Sequence, residues 1–477
     1  MSQEQAKAAP PKPKSEVNLP KAAIAIAIGV IIAFIPAPEG LTVESMRWLG
    51  IFLGMIAALL LQVAQMWAIT NFAALTCIAV KLGSFSTFYG EFAGSTIWML
   101  LAVIAMAGVL AQSGIMKRIA FNILKFFPPN YTGQVMALAA VSLVLGPMVP
   151  SSTAKMAIIA PLAGTVAKES GMAPHSKGVV GLWFVIYMLG FVGAWFFLTG
   201  SNINLIMLGM LPADYDKNIS WMGWFMRTLP AFIPCVILTV LAVSILFKPK
   251  EKMDMTKDTI KQQIADLGPM SEQEKYAGIV LAVTVGLWVT ADIHHISSTI
   301  IAWIALFAFY FKGMYGSRDV GRMPWAMCLM FGPMMGVIGQ MGPLGITGWV
   351  ASLLPREVIQ KLIPNSFVFV AILVIFITFA RIAIDTLSLM PINIAIFGPV
   401  AAMLGIDMWL IVVLTWFSGL GYLLPHHGVT IMQQHGMMGG DELISYSDVT
   451  WTTWVYSAIC LASCLIAVPF WSMSGLV

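Results

Sequence analysis

The sequence predicts an all-α membrane protein of about eleven transmembrane helices plus two re-entrant helical hairpins. Three observations carry this. The chain of 477 residues is 59% hydrophobic and only 10% charged, with a mean hydropathy of +0.87, whereas soluble domains are about 25% charged. Eleven apolar runs stand apart from one another, at a length suited to the roughly 20 helical residues that cross a bilayer. Two further apolar regions, 133–170 and 366–405, are broken near their middles by polar residues.

In chain order, residues 1–20 are polar, with Lys7, Lys12 and Lys14, and read as a cytoplasmic tail. The apolar run 21–37 lacks a small-residue cleavage site, so it reads as a retained first span, and 21–46 as that span with its loop. Spans follow at 47–66, 68–88 and 94–115, then the hairpin 133–170, then spans at 178–199 and 226–247. Residues 248–276 are polar and basic and form a cytoplasmic connector; Ser271 and Glu274 have capping-box spacing ahead of the next span. Beyond it lie spans at 277–292, 296–311 and 325–350, the hairpin 366–405, and spans at 408–424 and 450–473. The five cysteines (77, 235, 328, 460 and 464) form no CxxC or Cys/His cluster, which argues against disulfide or metal roles.

The basic residues test this topology. With the amino terminus inside and hairpins that do not cross, eighteen Lys and Arg fall on inside segments and six outside, leaving Lys155 and Arg381 within hairpins. That bias is what the positive-inside rule asks for. It places the carboxyl terminus outside a multi-pass cell (inner) membrane protein.

The two halves echo each other. Val109–Gly114 resembles Val337–Gly342, Pro161 matches Pro391, and Leu205-Ile206-Met207 is echoed near Thr430-Ile431-Met432. Each half, 47–247 and 277–477, holds an odd number of spans, so the copies are inverted repeats. Inverted repeats with paired discontinuous segments mark a secondary transporter whose substrate site lies near the midplane. Channels share that construction.

The polar breaks carry the candidate chemistry. In Leu145–Glu169 the apolar sequence meets Ser151, Ser152, Thr153 and Lys155, then resumes. Backbone at such a tip survives at membrane depth only when buried in protein or lining a watery cavity. Arg381, Asp385 and Thr386 interrupt the second hairpin, where a charge costs at least about 2.5–3.5 kcal/mol and normally faces a cavity or partner. An Arg381–Asp385 pair could neutralise itself, and Lys155 could snorkel to the inner surface. Gly200, Ser201, Asn202 and Asn204 end one apolar run, and Pro425, His426 and His427 end its counterpart. Unwound backbone there frees N–H groups that bind anions. The paired histidines lack a neighbouring Cys, Asp or Glu, so neither metal nor cofactor is expected.

The arrangement resembles the divalent anion/sodium symporter family, which includes citrate, succinate and tartrate carriers. The likeness spans almost the whole chain. Pro150-Ser151-Ser152-Thr153-Ala154, with Pro161 eight residues on, is similar to that family's Ser-Asn-Thr hairpin motif, and 200–204 and 425–428 stand where it has unwound turns. The resemblance implies a homodimer, a fixed scaffold, and a transport domain moving elevator-fashion with a di- or tricarboxylate between the tips.

Departures from the family pattern shape the functional expectation. Ser152 replaces the Asn, and fixed cations (Lys155, Arg381 and the protonatable His426 and His427) occupy the neighbourhood where sodium-coupled members hold Na⁺. Like charges repel, and a fixed cation can itself neutralise a dianion. An empty, positively charged site is costly to move through low dielectric. The expectation is sodium-independent exchange of dicarboxylates, with sodium symport and an anion channel as alternatives. No nucleophile–base set, metalloprotease helix or phosphate loop points to an enzyme, and nothing points to nucleic acid.

Overall fold

The computed structural model describes residues 17–149, 151–211, 215, 219–249, 262, 264–353, 356–384, 386–422 and 429–477. Among them every regular element is helical. The first half runs through α1 (Leu19–Phe34), α2 (Val43–Leu60), α3 (Met66–Ala79), the short α4 (Phe85–Tyr89), α5 (Ser95–Ser113) and α6 (Ile115–Leu124). The hairpin α7 (Tyr131–Met148) and α8 (Ser152–Glu169) comes next, then α9 (Lys177–Ile186), α10 (Asn202–Met210) and α11 (Trp221–Leu246). After the connector come α12 (Glu272–Val289), the short α13 (Ala291–His294), α14 (Ser298–Phe311), the short α15 (Ser317–Gly321), α16 (Trp325–Gly339), α17 (Ile346–Leu353) and α18 (Arg356–Leu362). The second hairpin is α19 (Ser366–Ala380) and α20 (Thr386–Leu404), followed by α21 (Met408–Ser418), α22 (Val429–Met438), the short α23 (Tyr446–Thr450) and α24 (Thr452–Met473).

Helix starts follow local chemistry. Side chains of Asn130, Ser176, Ser220 and Asn365 accept the N3 amides of α7, α9, α11 and α19, satisfying donors that a helix start leaves open. The capping box between Ser271 and Glu274 forms at the start of α12. Arg118 then fastens the end of the connector. Its Nε donates to Glu274 Oε1 at 2.9 Å, and its terminal nitrogens donate to the carbonyls of Leu267, Gly268 and Pro269.

Each of the eleven expected spans contains an apolar helix, but 47–66 ends at Leu60, 68–88 ends at Ala79, and three more are broken or end early. Residues 178–199 leave α-helical geometry after Ile186, passing through a π-turn at Tyr187–Phe191 into 3₁₀ turns that end at Gly200. Residues 325–350 divide into α16 and α17 around Gly345, whose φ of +72° a side chain would resist. Residues 408–424 stop being helical at Ser418, well before Pro425, and Gly419 and Gly421 lie in the irregular stretch that follows. The arms α7 and α8 have 18 residues each, or about 27 Å, close to the roughly 20 residues that cross a bilayer. Arm length therefore does not force the hairpin to turn back; its tip ends on buried polar contacts inside the protein.

Burial shows where those contacts sit. Every residue from Gly178 to Gly200 is buried, and Trp183, Tyr187, Trp195, Trp224, Trp409, Tyr422 and Tyr456 pack there with under 2% exposure. Phe34, Ile279 and Phe311 on α1, α12 and α14 are instead among the most exposed side chains, at 83%, 64% and 82%. Apolar residues outside and polar breaks inside suit a lipid solvent. At the α1–α2 crossing, a Cβ on Gly50 would lie 2.4 Å from the Gly29 carbonyl oxygen, the close approach that small residues permit between membrane helices.

Candidate carboxylate site

The first tip is a short extended link between two helices. Pro147 lies in the last turn of α7, and Val149 and Ser151 are extended. Ser151 Oγ accepts the Ala154 amide at 3.2 Å and caps α8. Ser152 is buried, and its hydroxyl has no hydrogen-bond partner among the described residues. Thr153 is exposed. One turn into α8, Lys155 has no exposed surface and donates from Nζ to the Gly200 carbonyl at 2.8 Å. It does not snorkel; it points from one broken segment to another.

The first break accounts for its freed carbonyls with side chains. Asn204 Nδ2 donates to the carbonyls of Ala194 and Phe197, at 3.1 and 2.7 Å. Trp224 Nε1 donates to the Trp195 carbonyl at 2.9 Å, and Thr228 Oγ1 to that of Phe196 at 2.8 Å. Thr199 Oγ1 donates to the Pro147 carbonyl of the tip and accepts from Trp221 Nε1. Buried backbone without helical bonds needs such partners. Gly200 admits no side chain, since a Cβ there would lie 2.2 Å from the Ala194 carbonyl oxygen. Ser201 is extended and caps α10 through the Ile203 amide at 3.2 Å. Asn202, half-buried, places Nδ2 3.3 Å from Met327 Sδ.

The second tip follows the same plan with different groups. Arg381 closes α19 through its amide to the Ile377 carbonyl at 2.9 Å; it is 7% exposed, and Nη1 donates to the Ile384 carbonyl at 3.0 Å. Thr386 opens α20 and donates its hydroxyl to the Gly419 carbonyl, where α21 ends. A small cavity beside this tip is lined by Arg381, Thr378, Gly421, Thr453 and Ser457 among others. Asp385, Pro425, His426 and His427, and with them the Arg381–Asp385 pairing and the histidine turn, lie outside the described residues.

The structure thus joins Ser151, Ser152 and Lys155 to Gly200 in one group, and Arg381 and Thr386 to Gly419–Gly421 in a second. Sequence reasoning missed the side chains that hold the breaks: Trp221, Trp224 and Thr228 in the first, Tyr187, Tyr446, Thr453 and Tyr456 in the second. Their aromatic and hydroxyl types are common in any buried helix core. The only signal was negative, since Tyr and Trp in an apolar interior need partners for their polar ends. The first group offers an ammonium, hydroxyls and the starts of α8 and α10, and the second a guanidinium and the start of α20, groups whose charge and hydrogen bonding suit a small anion.

Comparisons with known proteins place the chain among transporters. A family model described as the sodium:sulfate symporter transmembrane region matches residues 16–439. The chain is 24% identical to the putative malate transporter YflS of Bacillus subtilis over 72% of this chain and 74% of that protein. It is 23% identical to the chloroplastic dicarboxylate transporter 1 of Spinacia oleracea over 68% of this chain, spanning 58% of the spinach protein's length. It is 26% identical to the inner membrane protein YbhI of Escherichia coli, over 70% of this chain and 72% of that one. In fold it resembles the YdaH transporter of Alcanivorax borkumensis, with a TM-score of 0.54 at 16% identity over 82% of this chain and 88% of that one.

Proposed function

The chain belongs to the family of the sodium:sulfate symporter transmembrane region, a family of transporters rather than enzymes, and from that premise we propose that it is a sodium-independent exchanger of dicarboxylates. Succinate, malate, fumarate and 2-oxoglutarate are the substrates in view. The names of the malate and dicarboxylate transporters it resembles support the substrate class. In this proposal Ser151, Ser152, Lys155, Gly200, Ser201, Asn202, Asn204, Arg381 and Thr386 form the binding neighbourhood, together with Thr153, Asp385, Pro425, His426 and His427.

The observation that carries sodium independence is the buried contact of Lys155 Nζ with the Gly200 carbonyl. An ammonium on a carbonyl freed at a helix break supplies the positive charge that a bound Na⁺ would otherwise bring. A second cation beside it meets repulsion in low dielectric. Because this charge is covalently attached, it cannot leave with the substrate, and the unloaded site keeps it. Moving that bare charge is costly, so return is coupled to a second anion.

Element order supports two inverted repeats at 47–247 and 277–477. α5, α6, the α7–α8 hairpin, a broken span and α11 are followed in the same order by α16, α17, the α19–α20 hairpin, a broken span and α24. With the amino terminus cytoplasmic, this gives a carboxyl terminus outside. A scaffold with an elevator-type transport domain, assembled as a homodimer in the cell membrane, completes the proposal.

Counterflow in proteoliposomes tests it. Uptake of labelled malate should require internal dicarboxylate and be unchanged when choline replaces sodium. Sodium-dependent uptake into vesicles lacking internal dicarboxylate would establish symport instead, a reading favoured by the hydroxyl, not cationic, partner of the Gly419 carbonyl at the second tip. Electrical current without trans-stimulation would establish a channel.

A further inference from the structure

The second break is held by hydroxyl groups from four separate elements. At the end of α21, Tyr456 Oη on α24 donates to the Phe417 carbonyl and accepts the Leu420 amide at 3.0 Å. Thr386 donates to the Gly419 carbonyl. Thr453 Oγ1 accepts the Tyr422 amide at 2.9 Å, and Tyr446 Oη on α23 donates to the Tyr422 carbonyl at 3.0 Å. The Leu420 carbonyl remains, and its donor comes from the first half of the chain: Tyr187 Oη. Both ends of Leu420 are therefore gripped by tyrosines that belong to different halves.

Tyr187 is placed for this by the irregularity that follows α9. It opens the π-turn Tyr187–Phe191, a helix defect frequent at functional sites. Its ring has 1% exposure. The ring stacks on Trp183 at 5.1 Å and 6° and meets Tyr422 edge-on at 4.7 Å and 76°. One turn before it, the Trp183 carbonyl accepts Gln434 Nε2 of α22 at 3.1 Å. The segment that leads into the first break thus touches the second half on both sides of its break, at Leu420 and at Gln434.

We propose that Tyr187 is a positioning residue for substrate binding: its hydroxyl fixes the Leu420 peptide, and with it the Gly419–Thr386 contact that seats the second hairpin tip. Leu420 and Tyr422 amides are already occupied by Tyr456 and Thr453, so their role is to hold the turn, and the anion is met by the tip that the turn supports. This assignment rests on the carrier function proposed above.

Tyr187→Phe removes the hydroxyl and keeps the ring contacts, so the fold is retained. Two measurements on the full-length protein decide the matter. In counterflow, the apparent KM for malate should rise about fivefold or more, the equilibrium weight of one net hydrogen bond, while the maximal rate changes by less than about twofold. In hydrogen–deuterium exchange in detergent, the amides at 420–422 should exchange faster by a similar factor. Tyr456→Phe, which releases the same peptide from its other end, should move both readings in the same direction. An unchanged KM, even with a lower melting temperature, would reduce Tyr187 to a packing residue and overturn the proposal, as would unchanged exchange at 420–422. If the wild-type protein moves no dicarboxylate, the carrier reading fails by itself, and exchange at 420–422 alone decides whether Tyr187 fixes the turn.

Discussion

Lys155 reaches from the first turn of α8 to the carbonyl of Gly200 and places a buried ammonium 2.8 Å from it. Hairpin tip and broken span are thereby one structure. The counterpart contact in the second half runs from Thr386, the first residue of α20, to the Gly419 carbonyl. Each return arm is fastened to the break in the next span, once by a charge and once by a hydroxyl.

Replacing Lys155 by Met keeps the length of the side chain and removes the charge. The Gly200 carbonyl then loses a charge-assisted partner worth about 1.5–3 kcal/mol. Malate counterflow should fall by about tenfold or more, with the protein still monodisperse on size exclusion. Wild-type exchange in this variant would remove Lys155 from the site.

Gly200→Ala sets a methyl group against the Ala194 carbonyl, 2.2 Å from its oxygen. The unwound segment must shift, at a cost of about 1–3 kcal/mol for an overpacked interior. A lower melting temperature and a loss of counterflow are expected together; an unaltered melting curve would show that the break relaxes freely.

Thr386→Val is nearly isosteric and removes the donor to Gly419. A buried carbonyl without its partner costs about 1–3 kcal/mol. The apparent KM for malate should rise, and a double variant with Tyr187→Phe should show less than the sum of the two effects, because both act on the same turn. Strict additivity in the double-mutant cycle would separate them.

The Arg118–Glu274 contact gives a pH-dependent prediction at the connector. The hydrogen bond from Arg118 holds the Glu274 carboxyl below its ordinary value. A carboxyl depressed in the folded state adds stability above its unfolded pKa and loses it as pH falls through the folded one. Wild type should therefore melt above Arg118→Ala by a margin that is steady near neutrality. That margin should shrink as the pH drops below about 4, the ordinary glutamate range. Differential scanning fluorimetry over that range reads the margin directly.

The amino-acid order alone sets the class of molecule and the polar tips that interrupt its helices. Hydropathy marked the spans because lipid leaves a backbone no partner except itself. Gly, Pro and clustered polar residues marked the tips at Ser151–Lys155 and Arg381–Thr386, because they interrupt that pattern. Spacing alone could not say where Lys155 points: snorkelling to the surface and binding inward share one sequence, and only the position of Gly200, 45 residues away along the chain, separates them. The early ends of the spans at Ile186 and Ser418 were equally hidden. A break in a helix persists when side chains from elsewhere pair with its freed backbone groups, chiefly by donating to its carbonyls. Those partners (Asn204, Trp224 and Thr228 at one break, Tyr187, Thr386 and Tyr456 at the other) come from helices that only the packed fold brings together.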